Sequence, residues 1–155
     1  MKLRVVALGH RMPAWVTAGW DDYARRMPPE FALELVELKP EPRDRGKTVQ
    51  QMLAAEALRI TAACKDMRIV ALDEQGQQWT TRRLAESLST WREEASNTAF
   101  VIGSADGLSS DIKRKASAVV ALSALTLPHG LVRIVVAEQL YRAVSLLSGH
   151  PYHRE

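Results

Sequence analysis

Phe100-Val101-Ile102-Gly103-Ser104-Ala105-Asp106-Gly107-Leu108-Ser109-Ser110 carries the pattern that decides the fold. A short apolar run of the kind that forms a buried strand stops at a glycine. Two glycines and three serines then mark a turn, and a helical pattern starts at Ser110. Read outward in both directions, the same succession recurs. Apolar runs at 3–8, 33–38, 69–72, 100–102 and 119–122 predict five strands. Patterns spaced near 3.6 residues predict helices around 14–26, 48–63, 81–95, 110–116 and 131–147. Strand and helix therefore alternate along the chain, which predicts an α/β fold with a parallel sheet covered by helices on both faces.

A length of 155 residues fits a single domain, 1–155, and neither a repeat nor a linker interrupts it. Hydrophobic residues at 46% and charged residues at 25% exclude a disordered or fibrous chain. The net charge of +3 permits a polyanionic partner without requiring one, and 15 of the 21 basic residues are Arg, whose planar fork suits phosphates and base edges. No run approaches the roughly 18 apolar residues of a membrane span, and the opening Met1-Lys2-Leu3-Arg4-Val5-Val6 lacks a signal-like block. The single cysteine, Cys64, falls in an apolar helical pattern and reads as a buried reduced thiol. The expectation is a cytoplasmic protein without a membrane partner.

In open α/β sheets, ligands gather outside the carboxyl ends of the strands, so the segments after Leu72, Ile102 and Leu122 are the candidate site. Glycine at 103 and 107 admits backbone to close range of a ligand, although a tight strand-to-helix turn would use the same residues. Leu122-Ser123-Ala124-Leu125-Thr126-Leu127-Pro128-His129 is unusually apolar for a loop. It is either packed in the core or wrapped around a ligand that its backbone groups can hydrogen-bond.

Gly46-Lys47-Thr48 is not a phosphate loop, since Glu41 stands where that motif needs glycine. The surrounding proline-bearing stretch 39–47 reads as a polar loop, and its Arg43, Arg45 and Lys47 are either solvated or in contact with RNA phosphates. The last predicted helix is apolar on most of its circumference and asks for burial on more than one side, as in a symmetric dimer. Its Arg133 and Glu138 alternatively form an ordinary exposed pair. After Gly149 the chain ends in His150-Pro151-Tyr152-His153-Arg154-Glu155, a concentration of functional side chains. Pro151 and the missing Cys, Asp or Glu partner argue against a metal site there.

The opening Met1-Lys2-Leu3, the glycine turn at 102–109, the 122–129 loop, Leu131-Val132-Arg133, Ala137-Glu138-Gln139-Leu140-Tyr141-Arg142-Ala143 and the terminal His150-Pro151-Tyr152-His153-Arg154 together resemble the ribosomal large subunit methyltransferase H family of the SPOUT superfamily. The resemblance spans the whole chain. It implies a C-terminal trefoil knot, S-adenosylmethionine as methyl donor with no metal, a homodimer, and methylation of N3 of a pseudouridine in 23S rRNA of the large subunit or assembled ribosome. DNA is not implied as a partner. Carried over by position, the cofactor contacts are Leu72, Gly103, Leu122, Ser123, Ala124, Leu125, Thr126 and Leu127. Ser104 departs from the glycine usual in that turn, and Gly130 from a common proline.

Methylating N3 requires loss of a weakly acidic proton, so a base or a stabiliser of the anion is needed. The catalytic candidates are His153 as base, Tyr152 to stack on or bond the nucleobase, and Arg142 and Arg154 to hold phosphates or developing charge. His129 is a lesser candidate base. The tail follows an interface-like helix and is expected to complete the site of a neighbouring subunit.

Overall fold

The computed structural model describes residues 1–43 and 46–154, apart from the side chain of His153. Arg45 therefore lies outside the described residues. Five parallel strands, β1 (Lys2–Leu8), β2 (Ala32–Leu38), β3 (Arg68–Gln78), β4 (Thr98–Ile102) and β5 (Ala118–Ala121), form one sheet in the order β2-β1-β4-β3-β5. Between and after them run α1 (Ala14–Ala24), α2 (Val49–Ala63), α3 (Thr81–Glu93), α4 (Ser110–Lys115) and α5 (His129–Ser148). Short 3-10 turns occupy Pro29–Phe31 and Pro151–Arg154.

The alternation of side chains along each strand builds two cores. Leu3, Val5, Ala7, Val70, Phe100 and Ile102 face α1, α3 and α5, where Trp20, Leu88, Trp91 and Leu140 pack against them. Val6, Leu8, Ala71, Ala99 and Val101 face α2 and α4 through Ile60, Cys64 and Ile112. Helices thus cover both faces. Fully buried aliphatic side chains such as Leu88 each contribute about 2 kcal/mol of burial. Burial pushes the Cys64 thiol up to about 11, so it stays protonated and unreactive at neutral pH.

Local sequence sets the boundaries. Thr48 caps α2 by accepting a hydrogen bond from the Gln51 N–H at 3.1 Å, while the Gln51 side-chain Oε1 accepts one from the Thr48 N–H at 2.9 Å. Such a capping box is worth about 1 kcal/mol. Thr80 and Ser109 cap α3 and α4 by accepting from the Arg83 and Ile112 N–H groups, without the return bond. Gly149, at φ +71, ends α5 in the left-handed conformation, and the chain folds back from there.

β3 departs from expectation. The sequence predicts a strand ending at Leu72, yet β3 continues to Gln78 through an irregularity. Val70, Ala71 and Leu72 pair with Ala118, Val119 and Val120, and then Gln77 and Gln78 pair with Val120 and Ala121. Val120 is a partner of both Leu72 and Gln77. A strand offers two edges, so the two halves of β3 flank β5 while residues 73–76 cross over it. Gly76 makes the crossing fit, because a Cβ there would lie 2.7 Å from the Val119 carbonyl oxygen.

Candidate active site

The carboxyl ends of β1, the first half of β3, β4 and β5 open into one cleft of about 870 Å³. Its floor includes Leu8, Leu72, Ile102 and Leu122, one from the end of each strand. This is the volume range of small-molecule and cofactor sites. Of the cofactor positions expected from sequence, Leu72, Gly103, Leu122, Ser123, Leu125, Thr126 and Leu127 line the cleft. Ala124 sits exposed in the same loop without lining it.

The 122–127 loop is not core. Ala124, Leu125 and Thr126 are exposed, Leu125 to 75%. The loop is shaped by the Ser123 hydroxyl, which accepts a hydrogen bond from the Leu125 N–H at 2.9 Å. Thr126 reaches across to donate to Glu74 at 3.3 Å, joining the loop to the crossing segment of β3. Opposite, Gly103 and Gly107 close a tight turn, in which a Cβ on Gly103 would stand 2.5 Å from the Gly107 carbonyl oxygen. Asp73, beside this turn, pairs with Lys113 at 3.0 Å.

The loop after β2 supplies the remaining wall through Pro40, Glu41 and Arg43, a contribution the sequence did not reveal. Glu56 of α2, only 2% exposed, anchors it. This carboxylate accepts from the Glu41 N–H at 2.9 Å, from Arg43 at 3.2 Å and from the Ser104 hydroxyl at 2.7 Å. Arg43 also donates to the Ser104 hydroxyl oxygen at 2.7 Å and pairs with Asp106 at 2.9 Å. Lys47 and Arg59 both pair with Glu41 and, Lys47 first, hold its carboxyl below the usual range. Arg43 and Lys47 are therefore committed to this network. Ser104, the departure from the expected glycine, is a strut that joins the glycine turn to α2.

At the head of α5, His129 lines the cleft and accepts a hydrogen bond from Arg133 at 3.0 Å. Arg133 is 1% exposed and also donates to Glu37 at 2.7 Å and to the Gly9 carbonyl at 2.9 Å. It is thus no exposed partner of Glu138. Burial first, then the adjacent Arg133 charge, lowers His129 from its ordinary value.

The catalytic candidates gather elsewhere. Tyr152 donates to Glu138 at 3.2 Å and packs on Tyr141 with ring centroids 4.6 Å apart. Arg142 pairs with Glu138 at 2.7 Å and lies 4.9 Å over the Tyr152 ring. Burial, then a hydrogen bond with Tyr23 and the Glu138 carboxylate, raises the Tyr152 phenol well above its usual range. Arg154 is exposed, and the side chain of His153 lies outside the described residues. The tail is consequently an ordered turn on the end of α5. From His129 to Arg142 the helix runs about 20 Å, and neither Arg142 nor Tyr152 lines the cleft of its own chain. Among the described residues no three of His, Cys, Asp and Glu group to hold a metal, and no helix is long and apolar enough to cross a membrane.

Fold and cleft define an α/β protein with a cofactor-sized cleft at the carboxyl ends of its strands. Comparison with known proteins narrows this. A family model described as "Predicted SPOUT methyltransferase" matches residues 1–153. Ribosomal RNA large subunit methyltransferase H of Nitrosospira multiformis is 57% identical over 155 residues, covering 99% of each chain. Its namesake in Burkholderia mallei is 53% identical with the same coverage. A probable methylase family protein from Haemophilus influenzae shares the fold at a TM-score of 0.56 and 14% identity, covering 97% of this chain and 69% of its own. The chain belongs to the SPOUT methyltransferases, in the ribosomal RNA large subunit methyltransferase H family.

Proposed function

We propose that this protein methylates N3 of a pseudouridine in 23S rRNA, using S-adenosylmethionine and acting as a homodimer on the assembled ribosome. The observation that carries the reading is the open apolar 122–127 loop, clasped to the bend of β3 on one side of a cofactor-sized cleft. The names of the 53–57% identical relatives support the ribosomal RNA substrate. We also propose that β5 and α5 are threaded through the 72–78 bend as a trefoil knot, the crossing over β5 being its first requirement.

The residues present fit the donor: backbone groups of the 122–127 loop suit an adenine edge, and the glycine turn leaves its backbone open toward the cleft. Leu72, Gly103 and the 122–127 loop would hold it. When bound, it supplies an electrophilic methyl group on a positively charged sulfur. The protein's task is alignment of nitrogen and methyl, which can supply several kcal/mol of the barrier reduction, and removal of the N3 proton. His153 is the proposed base. Tyr152 keeps its proton and acts as a hydrogen-bonding or stacking surface, with Arg142 and Arg154 beside it for phosphate or developing negative charge. Since the tail stands away from its own cleft, it is proposed to serve that of a second copy.

Mass spectrometry of nucleosides from large-subunit RNA of a deletion strain tests the activity. N3-methylpseudouridine is expected to vanish and to return on complementation; its persistence would reject the assignment.

A further inference from the structure

The mechanism above leaves one network of charged and titratable groups unused: buried Arg133, half-buried His129 and the exposed Glu37. Arg133 carries its charge at 1% exposure, where an unpaired cation would cost several kcal/mol. It is satisfied by Glu37 at 2.7 Å, the Gly9 carbonyl at 2.9 Å and His129 at 3.0 Å. Glycine at position 9 matters, because a Cβ there would be 3.3 Å from both the Arg133 guanidinium and the His129 ring. The network thus joins the ends of β1 and β2 to the first turn of α5.

A guanidinium has five N–H donors and no acceptor. The ring nitrogen facing it, Nε2, must present a lone pair, so the ring proton sits on Nδ1. A second proton would set N–H against N–H and cation against cation. His129 and Gly103 both line the cleft, and the Gly103 backbone acts on the ring to favour a protonated nitrogen facing it. An Nδ1–H can only donate there, to the carbonyl.

We infer that His129 is a positioning residue: Arg133 fixes its tautomer, and its Nδ1–H fixes the Gly103 carbonyl in the wall of the donor cleft. The carbonyl keeps a second lone pair for an N–H of the ligand, such as the exocyclic amine of an adenine ring. Both nitrogens being engaged, His129 is not the base that takes the N3 proton. This inference rests on the reading of the cleft as the donor site.

Two measurements on the full-length protein test it. In the absence of donor, long-range 1H–15N spectra of the imidazoles, assigned by the signal that His129→Asn removes, should show Nε2 unprotonated and Nδ1 protonated. The opposite tautomer, or a doubly protonated ring at pH 7.5, would overturn the inference. Calorimetry with S-adenosylmethionine on variants matched for melting temperature gives the second. Asn places an amide N–H near Nδ1 and should stay within about 3-fold of the parent, whereas Ala and Gln should bind about 10-fold more weakly, the loss of one hydrogen bond. Saturating donor should restore turnover in His129→Ala to within about 3-fold. Unchanged affinity in His129→Ala, an Asn variant as weak as Ala, or lost turnover at saturating donor would each reject it. A parent protein that binds no S-adenosylmethionine would instead reject the underlying reading of the cleft.

Discussion

Replacing Gly76 by alanine probes the crossing of β3 over β5 directly. The new Cβ would lie 2.7 Å from the Val119 carbonyl oxygen and 2.8 Å from the carbonyl carbons of Val119 and Val120. Ordinary contact begins at 3.4 Å, so one segment must retreat by about 0.7 Å. All three obstructing atoms are backbone, and no side-chain rotation relieves them. β5 cannot retreat freely either, being paired with Val70–Leu72 on one edge and Gln77–Gln78 on the other. Overpacking costs about 1–3 kcal/mol, and strain on the two pairs beyond the bend adds about 1 kcal/mol. A total near 3 kcal/mol lowers the melting temperature of a domain this size by about 6–12 °C. Gly46→Ala is the control: its φ is +69 but its Cβ meets nothing within 4 Å, leaving a conformational cost of about 1 kcal/mol. Calorimetric melting of both variants and the parent decides. A Gly76→Ala protein that melts no lower than Gly46→Ala would refute the crossing as described.

Three further outcomes are expected. Glu56→Ala strips the acceptor from the Glu41 N–H, Arg43 and Ser104 together; with Arg43 partly solvated the cost is about 2–3 kcal/mol, read as a melting-temperature drop of roughly 4–12 °C, and weaker S-adenosylmethionine binding should accompany it in calorimetry. Because His129 lies below its ordinary 6.5, its contribution to stability is complete above that pH and is lost as pH falls through the depressed value, so melting curves of the parent should lose ground to His129→Asn on acidification from pH 7 to 5. A chain ending at Gly149 and a cofactor-loop variant such as Leu127→Asp, each inactive alone, should regain about a quarter of full activity when their dimers are exchanged, and no recovery would count against a shared site.

How much was legible follows from what each residue answers to. The strands were visible because Val5, Val6, Ala71 and Val101 are buried whatever the rest of the chain does. Their carboxyl ends then located the cleft at Leu72, Ile102 and Leu122. Gln77 and Gln78 were invisible as strand because they join β5 through backbone pairing, which polar side chains do not advertise. The role of Arg133 was not legible, and its alternative as half of an exposed pair fails, since its partners Glu37 and Gly9 are 96 and 124 residues away in sequence. One signal was available: His129 stands four residues before it, on the same helix face. Arg43 looked equally like a solvated residue and a phosphate contact, and only the fold shows Glu56 and Asp106 waiting for it.

The position of the tail constrains how a complete site is assembled. His129 and Arg142 lie about 20 Å apart along α5, and the turn that folds back after Gly149 packs on Tyr141 and Glu138, short of His129. A second copy removes the difficulty under one geometric condition. If two α5 helices pair antiparallel about a two-fold axis, the cleft end of each meets the tail end of the other, and one interface builds two equivalent sites. Parallel pairing would place both tails together and leave both clefts without one. Trp15, 55% exposed on α1, and Leu131, 40% exposed on α5, supply apolar surface near the cleft end for such a contact. Under the proposed dimer, the apolar circumference of α5 would acquire its reason: one face for its own sheet and another for its copy.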